Sequence, residues 1–497
     1  MMRSSRCSFL STMIRAPASI CSMISVSRPR LSAVLGVLLA AVLVVSPALA
    51  QDLLRADASN DWLIRDATVL TVTNGTIQNG DILVRDGDIA QVGQDISAPS
   101  GVEVYDASGE YVMPGIVEAH QHMAISNVNE ATNQVTAEVG VGDVINPYDI
   151  GIYRALAGGV TTAHVMHGSA NPIGGQNETI RLRYGTTTPS ALKMEGAPRT
   201  VKFALGENPT GLYGQGRDQV PRTRMGVEQV IRTALREAER YMAATQAYQN
   251  DERAQPPAHS ERMEVLAGVL RGDILVQCHG YRADELLMLM QVFEDFGIQN
   301  LVFHHVNEGF KIAPELAAFG DDGAGATVFS DWWSYKFEVY YSTAYNAAIL
   351  TENGVNTSIN SDIPGEQRDL YLQAAKTQRY GDLSDTQALS LITINPARQL
   401  GIADRVGSIE EGKDADLAIF SEHPLSVYTR PQRTYVDGVM RFDHEQDPDD
   451  MRLRVDPEGT VELSRDGYDR DRRHSCLKGV TYLRATRNGV ILENAGR

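Results

Sequence analysis

The chain has 497 residues, of which 43% are hydrophobic and 22% charged, a globular composition that argues against general disorder. Sixty-three acidic residues outnumber 45 basic ones, and the net charge of −18 makes a surface that repels phosphate backbones and anionic lipid. Nucleic-acid and membrane-surface roles are therefore not expected. Four cysteines cannot build a disulfide framework; Cys7 and Cys21 fall before residue 50, and Cys278 and Cys476 read as inert thiols.

The first 50 residues read as a signal peptide. Arg28 and Arg30 precede the apolar run Leu31–Val45, and Ala48-Leu49-Ala50 supplies an A-x-A cleavage site before Gln51. The run is shorter than the ~20 residues that a membrane span needs, and no later run reaches that length, so no stable span is expected after cleavage. Met23 is the expected true start, since the preceding residues exceed what a leader requires. General export, to the periplasm in a Gram-negative source, is the expected route.

From Trp62 to about 112, short alternating runs with Asn-Gly and Asp-Gly turns predict a small antiparallel β unit. Residues 113–400 change character: the apolar runs GIVEAH, TTAHVMH, TVKFAL, ILVQCH, NLVFHH, ATVFSD and NTSINSD alternate with helix-period segments. The clearest of those segments are MGVEQVIRTALREAERYMAA, ADELLMLMQVFEDFG and DTQALSLITINPARQLG. Strands alternating with helices over that length predict an α/β fold, a (β/α)8 TIM-like barrel. Short strands return over 401–445 and are expected to join residues 51–112 in one composite flanking β-sandwich. Residues 446–497 form a charged C-terminal extension ending in an expected hairpin with Asn488-Gly489 as its turn. The glycines of SANPIGGQ and GLYGQGRD lack phosphate-binding spacing and read as loops.

His120-Gln121-His122 closes the first barrel run. In a strand, positions i and i+2 share a face, so both imidazoles are expected to enter the barrel at its C-terminal mouth. Ligand-type residues recur at or near the ends of later strands: Lys202, His279, His305 and Asp362. Their types suit a divalent, hard-to-borderline metal.

At these positions the chain resembles the metal-dependent amidohydrolase superfamily, nearest its imidazolonepropionase-like members. The matching stretches include VMPGIVEAHQHM, LAGGVTTAHVMHGSANPIGG, VKFALGENP, VQCHGYRADE, FHHVNEGFKIAPEL, INSDIPGEQRDL and ITINPARQLGIADRVGSIEEGKDADLAIF, over residues from about 60 to 445. The resemblance implies a barrel with a flanking sandwich. It implies that His120 and His122 hold one metal, that His279 and His305 hold a second, and that Asp362 serves both metal binding and proton transfer. Lys202 matches the lysine that some members carboxylate into a bridging ligand. The divalent metal, one or two per chain, is expected to be Zn2+.

Three positions stand apart. Glu118 occupies a place where the superfamily usually has Asp, a change expected to touch support rather than ligation. His304 competes with His305; adjacent strand residues point to opposite faces, so one alone is expected to reach the metal, and the family spacing to Glu308 favours His305. Glu207, just beyond the fourth strand, is the alternative to Lys202 as bridging group. Arg282, His167, Trp333 and Glu207 are candidate substrate contacts.

The implied reaction is hydrolysis of a carbon–nitrogen bond, in an amide or cyclic amide, by a metal-activated water, with Asp362 as general base and then general acid. A metallo-dipeptidase acting on Xaa-Pro-like peptides and a mononuclear deaminase are alternatives, and a catalytically silent binding barrel ranks last. The expected partners are a small amide or short peptide substrate and a second copy of the chain in a homo-oligomer.

Overall fold

The structure is a computed structural model that describes residues 61–251, 255–332, 335–447, 481–486 and 489–494. The signal-peptide reading over 1–50, Trp333, Cys476 and the turn residue Asn488 lie outside the described residues.

Five strands open the described chain: β1 (Trp62–Leu70), β2 (Thr76–Arg85), β3 (Asp88–Gly93), β4 (Glu103–Asp106) and β5 (Tyr111–Pro114). The barrel strands follow: β6 (Ile116–Gln121), β7 (Val160–Val165), β8 (Ile173–Arg181), β9 (Thr200–Ala204), β10 (Leu275–Gly280), β11 (Leu301–His305), β12 (Gly325–Val328) and β13 (Thr357–Ile359). After the barrel come β14 (Leu417–Phe420), β15 (Pro431–Val436) and β16 (Val439–Asp443). A separate antiparallel pair, β17 (Thr481–Thr486) and β18 (Gly489–Asn494), lies in the C-terminal extension.

The flanking sheet runs β16-β15-β14-β5-β1-β2-β3, with β4 on β1, so its strands come from both sides of the barrel. The junction is the β14–β5 pair, in which Leu417 to Phe420 run antiparallel to Pro114 to Tyr111. The sheet closes over its own core. Trp62 of β1 stacks on Tyr435 of β15 with ring centres 4.1 Å apart, and its Nε1 donates to the Gly438 carbonyl at 2.7 Å. Ile64, Val69, Ile82, Val84, Leu417 and Ile419 are buried with them, which is how one sheet makes a sandwich-like core.

The barrel sheet runs β6 through β13 in sequence order. Its strands are buried on both faces, as β6 and β7 show at every position, because side chains fill the barrel inside while helices cover the outside. The long helix Arg224–Asn250 is capped by Thr223, whose side chain accepts from the Gly226 N–H, and it buries Val227, Ile231, Ala234, Leu235 and Ala238. Helix Ala283–Phe296 ends at Gly297 in the left-handed conformation.

One barrel strand departs from the expected all-parallel pattern. β8 runs antiparallel to both β7 and β9. Parallel neighbours need a crossover of a dozen or more residues, and the link from Val165 to Ile173 is too short to carry one. The glycines of the PIGGQ segment, read above as a loop, therefore lie within a strand: Gly174 and Gly175 belong to β8. At Gly174 a Cβ would sit 2.6 Å from Nδ1 of His167, so only glycine lets that ring lie against the strand.

Among the described residues no helix is long and apolar enough to cross a membrane.

Candidate metal centre

His120 and His122 come from the end of β6 and the residue after it, and both are buried. Lys202 on β9, His279 on β10, His305 at the end of β11 and Asp362 after β13 converge with them, each with no exposed surface. The ligand atoms of His120, His305 and Asp362 all lie within 4.8 Å of one another. Asp362 Oδ1 stands 3.4 Å from His120 Nε2 and 3.2 Å from His122 Nε2. The ring of His279 is 4.7 Å from that of His305, and Lys202 Nζ is 3.1 Å from His120 Nε2. All six residues predicted as ligands are thus gathered at one end of the barrel.

The donor set fits a cation. His122 Nδ1 lies 2.8 Å from the Met166 carbonyl and must carry the hydrogen there, so in neutral His122 the Nε2 lone pair faces the Asp362 carboxylate. Two acceptors facing each other in a buried site repel unless a proton or a metal ion lies between them, and a ring N–H given to a carbonyl is the usual support of a metal-bound histidine. Neither ring nitrogen of His305 has a hydrogen-bond partner, nor does His120 Nδ1. Buried polar atoms are rarely left this way without a ligand.

Electrostatics keep the imidazoles neutral. Burial, then the Lys202 charge, holds His120 and His304 well below the usual histidine range. Burial also pushes His305 down to about 3 against the opposing pull of Asp362. Burial raises Asp362, but the basic groups gathered around it, His122, His305 and Lys202, outweigh that, and the carboxyl rests below its ordinary value. Neutral imidazoles beside an ionised carboxylate are the protonation states in which these groups bind metal.

Both His304 and His305 lie beside His120, but of the two only His305, the residue favoured from sequence, joins His120 and Asp362 as a candidate ligand. Their ring centres lie 4.6 Å and 5.1 Å from that of His120. His304 follows the strand pattern, whereas His305 and Val306 have φ of 77° and 43°, which turns the chain and swings the second ring inward. The roles differ. His304 Nε2 meets Gln277 Oε1 at 2.7 Å and its Nδ1 meets the Thr327 hydroxyl at 3.0 Å, so its polar atoms are satisfied, while those of His305 are not.

The candidate substrate contacts fare less well. Glu207 begins a short helix after β9, is half-buried, lies 3.6 Å from Lys336, and does not belong to the candidate metal group of His120, His305 and Asp362. His167 is buried with Nε2 accepting from the Glu130 N–H at 2.8 Å and Nδ1 bonded to the Gly168 carbonyl at 2.9 Å, so both nitrogens are spent on loop structure. Arg282 is a partly exposed residue at the start of helix Ala283–Phe296 and is held by Asp284 at 2.9 Å and 3.0 Å.

Glu118 takes the supporting role expected of it, whereas the partners of one aromatic group were not found by reasoning from sequence. Glu118 accepts from the backbone N–H of His120 at 3.0 Å and from Ser361, tying the first ligand pair to the segment carrying Asp362. The mouth also holds an aromatic stack: Tyr281 and Phe329 lie nearly parallel to His305 at 4.9 Å and 4.8 Å, and Trp332 stacks on Phe329 at 4.5 Å. The aromatic richness of the segment after β12 was visible in the sequence, but its stacking partner was not.

Comparison with known proteins agrees with this geometry. The Amidohydrolase family profile matches residues 341–441. The chain is 30% identical over 395 residues to amidohydrolase tasK of Hapsidospora irregularis, an alignment covering 73% of this chain and 40% of that relative, so the chain spans well under half of its length. It is 26% identical over 360 residues to the imidazolonepropionase of Thermoplasma acidophilum, covering 69% of this chain and 83% of that protein. The crystal structure of an amidohydrolase from Thermotoga maritima MSB8 matches with a TM-score of 0.71 and 36% identity, over 77% of this chain and 99% of that one. A barrel of this build, and that degree of likeness over a whole solved structure, place the chain in the amidohydrolase family.

Proposed function

We propose that this protein is a metal-dependent hydrolase of carbon–nitrogen bonds in small amides or cyclic amides. The observation that carries the reading is the buried convergence of His120, His305 and Asp362 within 4.8 Å, with both nitrogens of His305 lacking hydrogen-bond partners. His120, His122, His279, His305 and Asp362 would hold the ion, with Lys202 close enough to join as a carboxylated bridge. A divalent ion bound there supplies Lewis acidity toward the scissile carbonyl and lowers the pKa of a water from 15.7 to about 7.

The chain's own part is proton handling and enclosure. Asp362 is ionised at neutral pH and can accept a proton on a carboxylate oxygen and return it to the leaving nitrogen. His122 is fixed by the Met166 carbonyl, so its Nε2 stays directed at Asp362. Tyr281, Phe329 and Trp332 form an apolar, flat-faced wall beside His305, which suits a planar amide or lactam ring. Similarity to an imidazolonepropionase supports the cyclic-amide side of this reading.

The test is the metal content of the purified protein expressed with bicarbonate and no chelator. A value near two per chain supports a binuclear centre with Lys202 as bridge, and a value near one supports a mononuclear centre. Failure to hold any divalent ion after reconstitution would sink the hydrolase reading.

A further inference from the structure

The loop that follows β12 is tied down by an ionic hub. The Glu338 carboxylate, with a side chain 1% exposed, accepts from the Glu207 backbone N–H at 2.9 Å and from Arg224 at 2.6 Å, and pairs with Lys336 at 3.0 Å. These partners come from the turn after β9, the start of helix Arg224–Asn250 and the loop itself. Gly206 makes room for it: φ is +83°, and a Cβ there would lie 2.5 Å from Glu338 Oε1. Burying so many charges is costly, and a barrel does not need them to close.

Lys336 leads from this hub to the metal centre. Its side chain is 5% exposed, and its Nζ donates to Asn208 Oδ1 at 3.3 Å and lies 3.9 Å above the centre of the Tyr281 ring. Tyr281 is stacked on His305 at 4.9 Å and 14°, and Phe329 is stacked on it at 4.8 Å and 19°. A metal-bound histidine is ordinarily oriented by a hydrogen bond from its second ring nitrogen, and His305 has no such bond. Its backbone is also in the left-handed region, a conformation that persists only where surroundings enforce it. Stacking is what is left to orient this ring.

We infer that Glu338 and Lys336 are positioning residues for the metal centre, acting through Tyr281 to hold the His305 ring in place. The mouth loop and one ligand then form a mechanical unit, so loosening the loop loosens the metal. The inference rests on the metal-binding reading of the His120, His305 and Asp362 cluster.

The test is competition between the full-length protein and a chromophoric chelator for Zn2+, with the melting temperature of each metal-free protein recorded alongside. Glu338→Gln and Lys336→Met should each weaken Zn2+ retention about tenfold, the low end for residues that orient a ligand. Lys336→Arg, which keeps both the charge and the ring contact, should restore it. Zn2+ retention equal to wild type in both weakened variants would overturn the inference while leaving the metal centre intact. Wild type that holds no Zn2+ would instead sink the metal reading. If Glu338→Gln fails to fold, Lys336→Met and its Arg counterpart decide alone, because they leave the Arg224–Glu338 pair in place.

Discussion

Ser361 donates its backbone N–H and its hydroxyl to the carboxylate of Glu118, at 3.2 Å and 2.5 Å, across the one seam of the barrel that no strand ladder spans among the described residues. The next residue, Asp362, donates its own N–H to the His120 carbonyl at 3.1 Å. The two ends of the barrel sheet are thus joined by the Glu118 side chain, by Gln121, which donates to the Ser361 hydroxyl at 2.9 Å, and by one backbone bond. Glu118→Gln replaces an acceptor oxygen with an amide NH2 facing a donor. Metal retention should fall by about 10–100-fold, measured as the rate of loss to excess chelator, with the barrel still folded by far-UV circular dichroism.

Asp362→Asn removes the group that takes and returns the proton while keeping the side chain's size. On an amide that wild type cleaves, kcat should fall by about 10²–10⁴-fold in protein whose metal content has been matched to wild type. A near wild-type rate would take Asp362 out of the proton path.

Arg181 of β8 joins the barrel to the flanking sheet. Its fully buried guanidinium pairs with Asp414 at 2.5 Å, Asp437 at 2.9 Å and Asp416. Arg181→Met leaves buried Asp416 without a cation, while Arg183 still pairs with Asp437 and Arg405 with Asp414, and should cost about 3–5 kcal/mol, read as an earlier urea midpoint. Asp437→Asn, which keeps the arginine and two carboxylates, should cost much less. Equal midpoints for the two variants would show that the guanidinium is not the centre of this junction.

Glu285, on helix Ala283–Phe296, gives stability a pH dependence. Burial, reinforced by the Glu338 carboxylate, pushes it up to about 7 despite Arg224, which is shared between the two acids. A folded-state pKa above the unfolded value means that the folded protein holds the extra proton. The contribution is fully present below pH ~4.5 and is lost as pH rises through about 7, a difference on the order of 3 kcal/mol. Wild type should therefore lose more unfolding free energy between pH 5 and pH 8 than Glu285→Gln does. Parallel pH profiles would exclude Glu285 as the source.

The convergence of these residues was readable because strand geometry is simple: His120 and His122 are two apart, and Lys202, His279 and Asp362 fall at or near strand ends where a barrel collects its chemistry. What sequence did not reveal depends on contacts between distant residues. Nothing local distinguishes Lys336 from a solvated lysine, since its burial comes from Tyr281 and Asn208, and while the supporting role of Glu118 was legible, its partner Ser361, far along the chain, was not. The turn at His305 was equally hidden, because a left-handed histidine carries no local signal and alternation had to be assumed. The reversed β8 was missed for another reason. Polar residues such as Asn177 and the Gly-Gly pair mask its strand character, and the short link before it was the one available clue.

That reversal bears on how the chain acquires its fold. Strands joined in parallel must await a helical crossover before they can pair, whereas β7 and β8 meet through a short link and need little loop closure. This hairpin is the most local pairing in the barrel sheet, and it carries His164, Asn177 and Arg181 into the interior together. Amide protons of β7 and β8 should accordingly gain protection before those of β12 and β13 in pulse-labelled refolding, giving the barrel a preferred side from which to assemble.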